Sequence, residues 1–586
     1  MSQVGGKAFD FKLFLKVMAY AKPYRALFIF SVFLTIALGG LGTARPILIR
    51  SVIDDAILMN DAPELIRLML LLVSLLVIEA LGQFGFMYAA NWLGQSIIKD
   101  IRIELYDKLQ TFRLGFYDRT PIGQLVTRVV SDIETISQIF SQGILVIFGD
   151  LFRIVVMLAA MFFFFNPILV LVSLSIIPFL FVATRWFQRG IKGAFQKVRT
   201  EVSNLNTFVQ EHLSGMSIVQ AFGREQQELD KFKEINDRHR NANVESIFYY
   251  ALFFPIIEVL SAMSIGLAVW YGGMNAATGG DVTVGELTAM IIFIGMLFRP
   301  LRQLADRFNT LQMGMVASER VLKLLDSDHE IEPNGAQTIE SLQGEIAFKN
   351  VHFSYNPDEP ILKDVSFEVA KGETVAIVGA TGAGKSTIIS ALMGFYPYSD
   401  GSITIDGVEL KDVNVHALRE QLALVLQDVF LFSDTVRANI VLGDESISDE
   451  KLLNAAEAIG ISEFIAELPQ GLDYNVQERG GVLSAGQRQL LAFLRAYITD
   501  PKVLILDEAT SSIDSHTEEL IQRALIALTK DRTSVIIAHR LSTIQHADRI
   551  IVLDKGQVIE VGNHQELLAK KGAYFNLYEK QFTSEV

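Results

Sequence analysis

A helix that crosses a lipid bilayer needs about 20 successive apolar residues, because the bilayer core offers no water to satisfy exposed backbone groups. The first half of this chain meets that demand repeatedly. Apolar runs occupy Leu27–Ile49, Leu65–Tyr88, Ile144–Phe165, Ile168–Phe187, Ile247–Tyr271 and Leu287–Leu301. The third and fourth are separated only by Asn166 and Pro167, which predicts a tight hairpin. Mixed sequence fills the second half, and 586 residues are too many for one compact core. The expectation is a multi-domain chain: an all-α six-helix transmembrane domain followed by a soluble domain.

Charge then orients the spans. The short connections are acidic, with Asp54, Asp55, Asp61 and Glu64 in the first and Asp281 and Glu286 in the last. The long ones carry the cations: Lys99, Arg102, Lys108, Arg113, Arg119 and Arg128 between spans two and three. Between four and five stand Arg185, Arg189, Lys192, Lys197, Arg199, Arg224, Lys231, Lys233, Arg238 and Arg240. The positive-inside rule makes the long connections and both termini cytoplasmic, in a multi-pass protein of the cell (inner or plasma) membrane. These connections are helical in composition on both sides of a single break. The spans are therefore expected to continue into the cytosol and turn at Phe116–Asp132 and Glu211–Glu225, as docking elements. Residues Phe9 to Ala26 mix cations with apolar residues and lack a cleavage site; they predict an amphipathic helix on the inner membrane face, not a secretory signal.

Ionisable residues inside spans are functional candidates: Glu79, Asp150, Arg153, Glu258 and Arg299. Asp150 and Arg153 have the spacing of a pair on one helix face. Glu258, beside Pro255, is the best single candidate for lining a substrate path. The net charge of −15 disfavours nucleic acid as a partner, and the absence of Cys excludes disulfides, thiolate metal sites and thiol nucleophiles.

From about Gly344 short β-rich runs alternate with helices, an α/β pattern. The strand Glu373–Val378 feeds Gly379-Ala380-Thr381-Gly382-Ala383-Gly384-Lys385-Ser386-Thr387, which is G-x-x-x-x-G-K-[ST] in its required strand–loop–helix setting. The glycines let backbone N–H groups wrap phosphates at a helix N-terminus. Lys385 reaches the β- and γ-phosphates, and the Ser386 hydroxyl ligates Mg²⁺. A second apolar strand, Val503–Asp507, ends in Asp507 and is followed by Glu508. Asp507 fits the Mg²⁺-organising carboxylate of such ATPases, and Glu508 suits a general base that polarises water.

Leu483-Ser484-Ala485-Gly486-Gln487, about a hundred residues after the P-loop, resembles the signature motif of ABC transporters. Other ABC elements stand around it in order. The resemblance implies that Tyr355 stacks on adenine and that Gln427 senses γ-phosphate and Mg²⁺. Val476–Gly480 resembles the exporter-specific loop, Ser512-Ile513-Asp514 the D-loop, and His539 the switch histidine. The TPIGQLVTRVVSD stretch and Leu297–Gln312 are similar to the coupling region and sixth helix of bacterial multidrug-type half-transporters of type IV fold. One departure stands out: Ala485 occupies the usual Gly position, while Ser484 and Gly486 are kept. Domain expectations are an amphipathic segment 1–25, a membrane domain 26–320, a linker 321–343 and an ABC nucleotide-binding domain 344–586.

The resemblance implies ATP and Mg²⁺ as ligands and an ATP hydrolase coupled to transport. Each ATP is expected between the P-loop of one subunit and the Ser484, Gly486 and Gln487 of another, so a second half-transporter, identical or related, is needed. Six spans exclude a soluble ABC ATPase, and fused domains disfavour an importer. An ATP-gated channel or regulator and a lipid flippase stay open beside a drug exporter. No protease-like segment precedes the first span, which disfavours a peptide-processing exporter. Phe162 to Phe165, Phe248, Phe253, Phe254 and Met263 suit amphipathic cargo, and equally suit lipid contact or helix packing.

Overall fold

The computed structural model describes residues 11–582 except 331, 333, 508–514 and 539–540; it leaves undescribed the side chains of 142, 301–302, 304–306, 308–309, 329, 515, 541–542 and 581–582. The chain divides into two compact units. Of the described residues, one holds those up to Gln110 together with Ile122–Asp328, and the other Thr111–Pro121 together with those from His329 onward.

The first unit is helical. Its long helices are α1 (Arg25–Ser51), α2 (Ala62–Gln110), α3 (Leu145–Phe164), α4 (Ile177–Ser214), α5 (Glu225–Ala277) and α6 (Val284–Leu325). Five helical stretches of the described residues are long and apolar enough to cross a membrane. The sixth expected span, Leu287–Leu301, lies on α6 and reaches Leu301, whose side chain is among those not described. Helices α2, α4 and α5 run for 49, 38 and 53 residues, or roughly 57 to 80 Å at 1.5 Å per residue. That far exceeds a bilayer core of about 30 Å, so each continues well beyond it.

Phe165, Leu169, Phe187, Phe253, Ile257, Phe293 and Leu297 form one buried cluster in this unit. Phe253 stacks on Phe187 with ring centroids 4.0 Å apart. By contrast Phe163, Phe248, Phe254 and Met263 are exposed within the chain. The hairpin lies where the apolar runs break: Asn166 caps the helix Pro167–Leu174, its side chain accepting from the N–H groups of Ile168 and Leu169.

Acids of the short connections serve as helix caps. Asp54 accepts from the Thr283 hydroxyl and, at 2.8 Å, from the Gly285 N–H at the start of α6. Glu286 accepts from the Asn166 N–H. The ionisable residues inside the spans pair differently from the sequence expectation. Among the described residues no ion pair joins Asp150 to Arg153, although their spacing permits one. Glu79 instead faces Arg45 on another helix, with 3.8 Å between charged atoms.

The expected first turn also needs correction. The chain reverses over Thr111–Pro121, and helix resumes at Ile122, six residues after Phe116, so most of Phe116–Asp132 is helix. Leu125, Ile133 and Ile136 are buried there, and Asp132 is enclosed by Arg128 at 2.7 Å and by Arg320. The second turn lies within Glu211–Glu225 as expected, with a short helix Met216–Ala221 inside it.

The second unit is α/β. Among the described residues an antiparallel sheet has the order β2-β1-β4-β5: β1 (Ile346–Ser354), β2 (Pro360–Val369), β4 (Asp400–Ile405) and β5 (Val408–Glu409). A largely parallel sheet has the order β10-β9-β3-β8-β7-β6, with β3 (Thr374–Val378), β6 (Leu422–Val425), β7 (Val503–Asp507), β8 (Thr533–Ile537), β9 (Arg549–Asp554) and β10 (Gln557–Gly562). Its helices include α7 (Lys385–Leu392), α8 (Ala485–Ile498) and α9 (Ser515–Thr529). The central strands are buried on both faces, which is why they read as unbroken apolar runs.

Candidate nucleotide-binding site

Parallel pairing brings the C-terminal ends of the strands to one edge, the place where open α/β sheets bind ligands. Ile537 on β8 lies opposite both Ile377 on β3 and Asp507 on β7, and Val425 on β6 lies opposite Leu506. The P-loop leaves β3 just beyond this row, and the exposed Gln427 follows two residues after Val425. Glu508, Asp514 and His539 lie outside the described residues.

The loop's glycines are required by geometry. A Cβ on Gly379 would sit 2.2 Å from the Leu553 carbonyl oxygen, and Gly384 holds φ +103° as N-cap of α7. Ala380, Thr381 and Gly382 are exposed, whereas Ala383, Lys385 and Thr387 are buried. The Ala383 N–H donates to the Ala380 carbonyl at 3.1 Å, closing the turn. The Lys385 ammonium donates to the carbonyls of Gly379 at 2.8 Å and Ala380 at 3.1 Å. Burial pushes its pKa down, while the charge of Asp507 pulls it back up.

The Ser386 hydroxyl donates to Asp507 Oδ2 at 3.0 Å. A hydroxyl and a carboxylate side by side next to a phosphate-wrapping loop form a hard-oxygen pair of the kind Mg²⁺ prefers. The residues present fit that ion. Among the described residues no group of three or more His, Cys, Asp and Glu gathers as a metal site of its own. The Ser386–Asp507 pair supplies two such oxygens and leaves room for further oxygen donors.

Tyr355 is 44 % exposed and meets Phe353 and Tyr396 with ring planes nearly perpendicular, each at a centroid distance of 4.9 Å. Elsewhere in the unit Ser484 caps α8 in a reciprocal box: its hydroxyl accepts from the Gln487 N–H at 3.2 Å, and Gln487 Oε1 accepts from the Ser484 N–H at 2.9 Å. Ser484 is exposed and Gly486 buried. Ala485 is the first helical residue, where ordinary helical φ suits Ala as well as Gly, so the departure from the usual motif carries no backbone strain.

Two family models match the chain: an ABC transporter transmembrane region over residues 28–301 and an ABC transporter domain over residues 362–511. The uncharacterized ABC transporter ATP-binding protein YknV of Bacillus subtilis is 37 % identical, over 99 % of this chain and 96 % of its own. The chain belongs to the ABC transporter family. A Staphylococcus aureus protein provisionally named as a multidrug export ATP-binding/permease protein is 38 % identical over 97 % of this transporter and 99 % of its own length. The solved structure of a bacterial Atm1-family ABC exporter with ATP bound is similar with a TM-score of 0.76 at 29 % identity, covering 95 % of this chain and 98 % of that one. This transporter is thus a membrane protein with fused transmembrane and nucleotide-binding ATPase domains, and it couples ATP hydrolysis to transport.

Sequence reading missed the transporter's contacts around Thr111–Pro121. Phe116 is buried, and Arg113 pairs with Glu330 at 3.1 Å while its N–H donates to the Glu330 carbonyl at 2.8 Å. The Glu332 N–H donates to the Thr111 carbonyl at 2.8 Å, and the Glu332 carboxylate is held by Arg419 at 2.7 Å. The Tyr396 hydroxyl donates to Asp118. Burial first, then that bond, drives the Tyr396 pKa upward, so the phenol stays protonated. The aromatic run Phe395-Tyr396, just after α7, was the available signal.

Proposed function

We propose that this chain is one half of an ATP-driven exporter of amphipathic small molecules or lipids, working as a dimer of identical or related halves. The observation that carries the reading is the arrangement at the sheet edge, where the P-loop lysine is buried beside the Ser386–Asp507 pair. The names of its relatives support export as the direction, and the acidic-short, basic-long pattern of connections supports cytoplasmic ATPase domains and termini in the cell membrane. Residues 26–320 act as the membrane domain, 321–343 as linker and 344–586 as the nucleotide-binding domain.

In this reading the exposed Tyr355 ring stacks on adenine and Gly379–Thr387 wrap the phosphates. Ser386, Asp507 and Gln427 hold Mg²⁺, which neutralises phosphate charge when bound. Lys385, released from the loop carbonyls, turns to the β- and γ-oxygens. Glu508 orients and polarises water, and His539 and Gln427 contact the γ-phosphate region. Ser484, Gly486, Gln487 and Asp514 act on the partner's nucleotide. The capping box leaves the Ser484 hydroxyl proton free to donate to an anion at the positive end of a 14-residue helix. One chain has one P-loop and one such helix, so closure of a complete site pulls two ATPase domains together. Bonds from the signature helix of one half to the γ-phosphate held by the other form only when the pair is closed. That difference between the two states is what lets ATP shift the equilibrium.

The test is Glu508→Gln. ATP binding should persist, while steady-state hydrolysis falls by about two orders of magnitude or more. Near-normal turnover in contamination-free protein would refute the assignment. Vesicle uptake separates a pump from an ATP-gated channel, because only a pump concentrates cargo against a gradient.

A further inference from the structure

A groove of about 480 Å³ opens between α4 and α5 at the end of the fourth apolar run, lined by Val182, Arg185, Trp186, Arg189, Gly190 and Tyr249. We propose that it binds the phosphate headgroup of an anionic lipid.

The charge balance is the first reason. Arg185 and Arg189 stand one helical turn apart, about 6 Å along α4. From Ile177 to Thr200 that helix carries Arg185, Arg189, Lys192, Lys197 and Arg199 and no carboxylate. On the facing part of α5, Glu245 is taken by Lys197 at 2.7 Å, and the next carboxylate, Glu258, is nine residues beyond Tyr249, or about 13 Å. Among the described residues neither guanidinium of the groove has an ion-pair partner. Two unpaired guanidiniums at this spacing match the oxygens of a phosphodiester, for which the Arg fork is well shaped.

Shape is the second reason. A Cβ on Gly190 would lie 2.1 Å from the Tyr249 ring, so only glycine lets that ring rest against the α4 backbone. Tyr249 meets Trp186 with centroids 5.8 Å apart at 55°, which puts two interface-seeking aromatics beside the cations. The groove also continues in the direction of the span. Phe179 and Val182 share the helix face of Trp186 and Arg189 and are exposed, giving an apolar path for an acyl chain. A free anion has no use for that path, whereas a lipid fills both parts. The proposed orientation assigns the lipid to the inner leaflet; the headgroup chemistry does not depend on it.

Native mass spectrometry of the full-length protein in detergent, offered phosphatidylglycerol or phosphatidylcholine, tests this. The unaltered protein should prefer phosphatidylglycerol, and R185Q/R189Q should lose that preference by about tenfold or more. R185K/R189K should keep part of it, since charge remains without the fork. Gly190→Leu should weaken binding with no change in charge, because it displaces Tyr249. Basal ATP hydrolysis in detergent shows that each variant is folded, as none of these residues belongs to the nucleotide site. Equal phosphatidylglycerol binding by R185Q/R189Q would overturn the proposal. So would equal loss of both lipids, or displacement of the lipid by millimolar inorganic phosphate, which would mark a free-anion site.

Discussion

Gly384 shows how narrowly the nucleotide loop is defined at the level of single atoms. Its φ of +103° lies where side chains are strained, and a Cβ would stand 2.9 Å from Leu362 Cδ2. Gly384→Ala should therefore cost about 1–2 kcal/mol from backbone strain alone. A lowered thermal midpoint together with weaker ATP binding would show it, and an unchanged midpoint would contradict it. Ser386→Ala tests the oxygen pair. Nucleotide affinity without Mg²⁺ should be unchanged, while the gain on adding Mg²⁺ is lost; retention of that gain would remove Ser386 from the metal's ligands. Ala485 needs no compensating change, because the position asks only for helical φ.

At the level of elements, the parts legible in the sequence were those set by local pattern. Apolar runs gave the long helices, and the G-x-x-x-x-G-K-[ST] spacing gave the loop between β3 and α7. Partners that meet only in space were not legible. Asp150 and Arg153 have the right spacing yet do not pair, while Arg45 and Glu79 lie on different helices and face each other. The first turn was drawn too far along, because helix begins again at Ile122, directly after Pro121. Proline suits the first turn of a helix, and the buried Leu125, Ile133 and Ile136 keep helical spacing. The turn's true anchor, Arg113 to Glu330, spans 217 residues. Arg113→Glu should break it and reduce cargo-stimulated ATP hydrolysis several-fold while leaving basal hydrolysis near normal; adding Glu330→Arg should restore part of the stimulation. Stimulation unaffected by R113E would show that this contact transmits nothing.

For the whole molecule, the decisive question is which chain completes each ATP site. Mixing Lys385→Ala chains with Ser484→Arg chains answers it. If sites are shared across a dimer, each mixed dimer has one site carrying both lesions and one intact site. Trapping of about one nucleotide per mixed dimer, and none by either parent, is expected. No trapping in the mixture would place P-loop and signature in the same chain. The unit boundaries have a consequence of another kind, in the order of synthesis. Thr111–Pro121 is made early but packs with the ATPase unit, whose other residues begin at His329 and include Tyr396. At ribosomal speeds of roughly 5–20 residues per second, those eleven residues wait on the order of ten to fifty seconds for their partners. For that interval the turn lacks its later partners Glu330 and Tyr396, and a nascent chain stalled before residue 329 should present it to chaperones or proteases.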